Sequence, residues 1–219
     1  MILFNLMKKT STIAAGLAAL FLFSGCASTA VKDTWKLPGY QGGPPQKVAV
    51  VADEDRMMVR TALENRFVNQ LAWDGQPTIG TAAEFPDLAE ARKNKEATIE
   101  KLRTDGVDAI LITRLVGQTA YQAKAQQTFS GHYVGVTVTP DSGDWDTSIG
   151  SYSTYSSAPR SDDRSHMLLD TSLYDLKSGQ RIWSCITETT ILETDDKLEI
   201  ADEFVAKVVA AMHKDGMVR

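Results

Sequence analysis

The sequence predicts an α/β fold: one domain on a mixed sheet, with a βαβαβ unit, then an antiparallel hairpin, then a carboxy-terminal helix. Three observations predict it. Short β-branched runs at 47–52 and 107–116 alternate with amphipathic stretches at 53–74 and 86–104, a pattern that gives strands joined by helical crossovers. Two alternating runs, 166–175 and 180–191, are joined by Leu176-Lys177-Ser178-Gly179, a hairpin with a glycine-containing turn. An apolar stripe of Leu198, Ala201, Val205, Val208 and Met212 then follows Asp195-Asp196, as in a capped amphipathic helix.

The first 26 residues stand apart. Lys8 and Lys9 precede an uncharged run, Ile13 to Phe23, and the sequence then reads Phe23-Ser24-Gly25-Cys26. A charged start, an apolar middle and a small-residue cleavage site make a secretory signal. The run of 11 residues is too short to span the ~30 Å of a bilayer's hydrocarbon as a helix. Met7 opens a more typical signal than Met1 does. The site resembles the lipobox of bacterial lipoproteins, with Phe23 in the place the family usually gives to leucine. The resemblance implies a thiol at Cys26 joined to diacylglycerol, cleavage before it, and acylation of the new amino end with a chain such as palmitate. Several chains hold a protein firmly where one holds it marginally. Ala27 stands where aspartate favours inner-membrane retention in this family, which implies the outer membrane, facing the periplasm.

Residues 1–25 are therefore expected to be a signal peptide, 26–46 a lipidated cysteine and flexible tether, and 47–214 the globular domain. Pro38, Pro44 and Pro45 with Gly39, Gly42 and Gly43 interrupt regular structure in the tether, although Trp35 and Tyr40 are aromatic enough to dock on the domain. Lys47 to Ala52 (KVAVVA) reads as a buried strand. Asp53-Glu54-Asp55 suit a helix start, and Val59, Leu63, Phe67 and Leu71 recur every four residues to form its buried stripe. Pro77 to Ile79 is a very short strand. Pro86-Asp87 opens a second helix to about Thr104, polar except for a narrow stripe of Leu88, Ala91, Ile99 and Leu102. Val107 to Val116 (VDAILITRLV) is the strongest strand.

Residues 129–164 break the pattern. They are rich in Ser, Gly, Asp, Thr and Tyr, and an insertion of this size far exceeds the usual ~4–6 residues of a connection. His132 to Thr139 alternates and reads as a strand at its base; the remainder is disordered or a projecting flap. In the hairpin, Trp183, Cys185 and Thr187 share one face and Ile182, Ser184 and Ile186 the other. Neither face is wholly polar, so the hairpin is expected to lie centrally.

The leader holds two of the 23 basic residues and none of the 28 acids, so the mature chain is acidic. That argues against nucleic acid as a partner, since its recognition needs a basic surface. It also leaves the acyl chains as the expected membrane contact. With Cys26 lipidated, Cys185 has no internal partner and is expected to be buried.

KVAVVA, GVDAILITRLV and LYDLKSGQRIW together resemble small periplasmic α/β domains of bacterial envelope proteins: penicillin-binding-protein activators, the curli-secretion lipoprotein and the TolB amino-terminal domain. Gly106-Val107-Asp108 and Ser178-Gly179 before Trp183 carry the resemblance, which covers about 47–214 and departs at the long insertion. It implies a role through contact with other envelope proteins, without catalysis.

Motifs for chemistry are sparse. His132, His166 and His213 are scattered, so no metal is expected, and no cofactor. Asp141, Asp144 and Asp146 are spaced like part of a calcium loop but lack its glycine and terminal glutamate. No nucleophile elbow, phosphate loop or dinucleotide motif is present. Asp53, Glu54 and Asp55 could pose as paired acid and base, but a helix amino end explains them better. Ser165, His166 and Asp170 make a triad only on paper, because neighbours on a strand alternate faces. The remaining candidates are the aromatics of the insertion, Tyr133, Trp145, Tyr152 and Tyr155, whose large contact areas beside many hydroxyls suit recognition. The sequence thus favours a non-enzymatic lipoprotein that binds an envelope protein, through the insertion or a sheet edge. A binder of a small ligand or cell-wall glycan, marked by an apolar cavity with a few inward polar groups, is the second expectation, and a hydrolase the third.

Overall fold

The computed structural model describes residues 28–119, 128–129, 132–138, 145–151, 155–156, 165–191 and 195–219. The leader, Cys26, Tyr152, Asp141 and Asp144 lie outside them.

One six-stranded mixed sheet organises the fold. Its strands are β1 (Ser28–Lys36), β2 (Val48–Asp53), β3 (Thr78–Gly80), β4 (Ala109–Thr119), β9 (Ser165–Asp175) and β10 (Arg181–Ile191), in the order β1-β10-β9-β4-β2-β3. Strands β3, β2 and β4 run parallel, whereas β9, β10 and β1 extend the sheet antiparallel. Helix α1 (Met57–Trp73) carries the chain from β2 to β3. Helices α2 (Leu88–Lys93) and α3 (Lys95–Thr104) carry it back over β2 to β4. The two crossovers run in opposite directions along the sheet, so one handedness puts them on opposite faces.

The packing agrees. Val48, Val50 and Leu111 meet Phe67 and Leu71 of α1, with Phe204, Val205 and Val208 of the last helix, α4 (Lys197–Lys214). Phe67 and Phe204 meet edge to face, with ring centroids 5.8 Å apart. Ala49 and Ile110, on the other face, meet Ile99 and Leu102 of α3. The predicted α/β class, the βαβαβ order, the central hairpin and the closing helix are all present. Trp183, Cys185 and Thr187 are buried on the face that α1 and α4 cover.

Four expectations need correction. First, the tether is not free over its first part. Ser28–Lys36 is an edge strand paired with β10 from Ser28↔Thr190 to Lys36↔Trp183. Trp35 lies 4.8 Å from the Arg181 guanidinium, and Tyr40 packs against the main core, so the docking alternative holds for both aromatics. Second, the predicted helix 86–104 is two helices broken at Asn94. Asp87 caps the first, accepting from the Glu90 N–H at 3.0 Å. Third, Asp53 to Asp55 do not cap α1. Arg56 is its cap residue; Glu54 accepts from the Arg56 backbone N–H at 2.9 Å as well as from its guanidinium, and Asp53 reaches Arg92. Arginine side chains within reach offer these carboxylates stronger, charge-assisted partners than the helix amides. Fourth, the buried stripe of α1 begins with Arg60 and Glu64, while Val59 is exposed and Leu63 only partly buried. Mutual pairing makes that polar start tolerable.

In the insertion, β6 (His132–Val138) is a strand, as expected for 132–139; among the described residues it pairs with β7 (Trp145–Ser151) and not with the main sheet. Strands β5 (Thr128–Phe129) and β8 (Tyr155–Ser156) form a second ladder. Among the described residues neither ladder joins the main sheet.

Candidate functional site

A cleft of about 310 Å³ lies between the sheet and α2–α3. Its floor follows from strand register. Side chains of one sheet face alternate along each strand, and partners across strands line up in rows. Ala49, Ile110 and Tyr174 form the first row. Val51, Ile112 and Ser172 form the next. Asp53, Arg114 and Asp170 form the last, at the carboxyl end of β2 and midway along β4. The floor therefore grades from apolar to charged. Leu88, Ala91, Ile99 and Leu102 of the two helices, with Phe85 before them, supply an aliphatic wall.

The position is the one fold geometry favours. After β2 the chain leaves toward β3, and after β4 it leaves toward β9, on the other side. Ligands of open α/β sheets bind outside the carboxyl ends of strands at such a switch point.

The charged row is internally neutral. Arg92 of α2 donates to Asp53 at 2.5 Å. Arg114 donates through Nε and Nη2 to Asp170, at 3.3 and 3.0 Å. Ser172 Oγ donates to the other oxygen of Asp170 at 3.0 Å. Asp170 is buried, Arg114 largely so, and Arg92 is 60% exposed. The signs alternate along the rim: Arg92, Asp53, Arg114, Asp170. Beneath it, Arg60 and Glu64 form a second pair, each side chain 1% exposed. Each acid of the rim and of the pair beneath it is thus held by an arginine.

The residues expected from sequence fall elsewhere. Tyr133 pairs with Gly150 and Trp145 with Val138, at opposite ends of the β6–β7 ladder, and Tyr155 pairs with Phe129 in the other ladder. His166 lies beside Thr190 and Glu188, and His213 pairs with Asp74 at the opposite end of the sheet. Among the described residues no cluster of His, Cys, Asp and Glu could hold a metal. Cys185 is fully buried, and burial first, then Asp170, Asp215 and Asp33, push its thiol up to about 12. Glu54 is held down at about 2 by its hydrogen bonds with Arg56.

Arg92, Arg114 and Asp170 carry the rim of the cleft; sequence reading missed both arginines and weighed Asp170 only in a triad with Ser165 and His166, whereas it is Arg114 and Ser172 that hold it. One partial signal was present: Asp53 ends β2, and charges at the carboxyl ends of parallel strands are where such sheets place their sites.

No family model matches the chain, and no curated protein does. Among solved structures, the chain is similar to a PelC dodecamer from Paraburkholderia phytofirmans, at 13% identity over 84% of this chain and 95% of that one, with a TM-score of 0.43. It is similar to lipoprotein GNA1162 from Neisseria meningitidis, at 13% identity over 78% and 99%, with a TM-score of 0.38. A PDZ domain protein from Parabacteroides distasonis matches at 12% identity over 85% of this chain and 36% of its own, with a TM-score of 0.41. At these scores the likeness is loose and assigns no activity. Among the described residues no helix is long and apolar enough to cross a membrane.

Proposed function

We propose that the protein is a non-enzymatic envelope lipoprotein, anchored through Cys26 to the periplasmic side of the outer membrane, that works by contact with other envelope proteins. The observation that carries this reading is where the chain enters the sheet. Strand β1 begins at Ser28, two residues past Cys26, and Ser28 pairs with Thr190. That end of the sheet is also where β4 finishes and β9 starts, pairing Thr119 with His166. An acyl anchor at Cys26 would therefore attach at the same end of the sheet that the chain leaves at Thr119 and rejoins at Ser165, on either side of the insertion at about 129–164. Among the described residues the insertion's strands pair with one another and not with the main sheet.

The sheet edge is the weaker contact surface. The β1 edge carries Lys32 and Lys36 and a register shift between Val31 and Asp33, features that blunt strand addition. A second reading, a lipoprotein that takes a small ligand, is favoured by the cleft.

The test is crosslinking and pull-down of the full-length protein from membranes, with and without residues 140–164. Loss of a specific partner on deletion supports the insertion as contact surface, and an unchanged partner set removes it. Cys26→Ala is expected to move the protein out of the membrane fraction. An unmodified Cys26 by mass spectrometry, with Cys26→Ala still in that fraction, would overturn the anchor.

A further inference from the structure

We propose that the cleft between the sheet and α2–α3 binds a single-chain amphiphile with a zwitterionic head. This goes beyond the anchoring role and stands on the geometry of the cleft alone. The volume, about 310 Å³, is at the low end of the roughly 300–1,000 Å³ that ligand sites span, enough for one chain-like body. The walls around it, Val51, Ile112, Ile99 and Leu102 among them, are branched aliphatics. They select for apolar bulk and offer little hydrogen-bond pattern to read, which fits an alkyl chain better than a sugar.

The head follows from the rim. Arg92, Asp53, Arg114 and Asp170 alternate in sign and sum to zero. An anionic head that approaches either arginine also meets that arginine's carboxylate, and a cationic head meets the reverse. A head bearing both signs pairs with an arginine and an aspartate together. Asp53 and Arg114 stand on adjacent strands, ~4.8 Å apart, a spacing that an ammonium and a phosphate joined through two carbons can match. Arg92, the most exposed of the four, is the group best placed to swing and admit it. Its pair with Asp53 is then a clasp over the chain's entry.

The experiment uses full-length protein in nanodiscs of diacyl phosphatidylglycerol and a twelve-carbon monoacyl phosphoethanolamine bearing a diazirine in its chain. Photolabelling, read by peptide mass spectrometry, is expected on the peptides holding Val51 and Ile112. The label should saturate and be competed by the unlabelled monoacyl phosphoethanolamine. Laurate, with the same chain and an anionic head, should compete at least tenfold less well, and phosphoethanolamine without a chain should not compete. Ala91→Trp fills the cleft from the helix side and Ile112→Trp from the floor. Each is expected to cut labelling at least tenfold, and the one with an unchanged melting temperature is the one to read. Label outside the cleft, label that does not saturate, equal competition by laurate, or wild-type labelling of a well-folded filled variant each overturns the proposal. The anchor is judged separately. A protein with bare Cys26 that still labels in the cleft keeps the ligand and loses the anchor; a lipidated protein with an unlabelled cleft does the opposite.

Discussion

Glu64 is held by Arg60 one turn earlier on α1, and between them they tie the ends of two parallel strands together. The Glu64 carboxylate accepts from the N–H of Ala52 in β2 at 3.1 Å, and from those of Thr81 and Ala82, just past β3, at 2.7 and 2.6 Å. Arg60 donates Nε to Glu64 at 2.9 Å, Nη1 to the Phe85 carbonyl at 2.7 Å and Nη2 to Thr81 Oγ1 at 3.0 Å. The pair replaces water for the backbone of the β3–α2 connection, and so fixes Phe85 and α2 over the cleft.

Breaking the pair should cost far more than its exposed neighbours do. Removing one partner of a buried ion pair costs about 3–5 kcal/mol, against about 0–1 kcal/mol for a surface pair such as Arg56–Glu54. Glu64→Leu is expected to destabilise more than Arg60→Met, because it orphans a guanidinium and backbone N–H groups at once. Urea unfolding with unchanged slope checks the order. A Glu64→Leu loss under about 1 kcal/mol would contradict the buried-pair account.

Cys185 should be chemically silent while the protein is folded. Its thiol is buried and pushed up to about 12, so the reactive thiolate is scarce. Alkylation at pH 8 is expected only at the rate of unfolding, rising sharply in urea. The same shift gives a pH dependence. The unfolded thiol ionises near its ordinary 9.0 while the folded one keeps its proton, so the unfolded state binds fewer protons between about 9 and 12. Stability therefore falls as pH rises through that window, and Cys185→Ala should flatten the fall. Fast labelling of native protein at pH 8 would show the face to be open.

The parts of the fold that were legible in the sequence are those carried by local periodicity. KVAVVA, the stripe ending in Phe67 and Leu71, the hairpin turn at Gly179, with φ 68°, and the stripe of α4 each signal within a few residues. What was hidden depends on distant register. The rim unites positions 53, 114 and 170, and nothing local to any of them announces the others. Arg60 and Glu64 occupy core positions but are charged, so the apolar neighbours Val59 and Leu63 passed for the stripe. Strand β1 was hidden by its own irregularity. The shift between Val31 and Asp33 breaks the period of two, and the prolines and glycines after it suggest loose chain.

Strand β1 makes the sharpest contrast between tether and structure. Deleting residues 28–36 should be neutral if they are a spacer. As an edge strand they cover β10: Thr29 Oγ1 meets Thr189 Oγ1 at 3.0 Å, both buried, and the Thr29 N–H reaches Glu203 of α4 at 3.2 Å. The deletion is expected to lower the melting temperature by several degrees and to leave β10 as an open edge that self-associates. Light scattering and thermal unfolding of the shortened protein check it. An unchanged melting temperature would return the segment to the status of a linker.

Gly42 has a requirement that Gly43, its neighbour, lacks. A Cβ at Gly42 would fall 2.3 Å from the Tyr40 ring, whereas one at Gly43 meets nothing within 4 Å. Tyr40 packs against the core, so its ring cannot swing aside without losing that contact. Gly42→Ala is therefore expected to cost about 1–3 kcal/mol, the range for overpacking, and Gly43→Ala to stay within about 0.5 kcal/mol. The two glycines test sterics against chain entropy, since both substitutions stiffen the unfolded chain alike. The tyrosine gives an independent readout. Burial, then Asp175 and Asp108, raise the Tyr40 phenol above its ordinary 10.0. A ring displaced by Gly42→Ala should titrate closer to 10.0 by NMR of labelled tyrosine, while Gly43→Ala leaves it raised. Tyr40→Leu, which removes the obstructing ring end, should abolish most of the penalty of Gly42→Ala in a double-mutant cycle. Equal costs for the two glycine substitutions would mean that the ring is not what Gly42 accommodates.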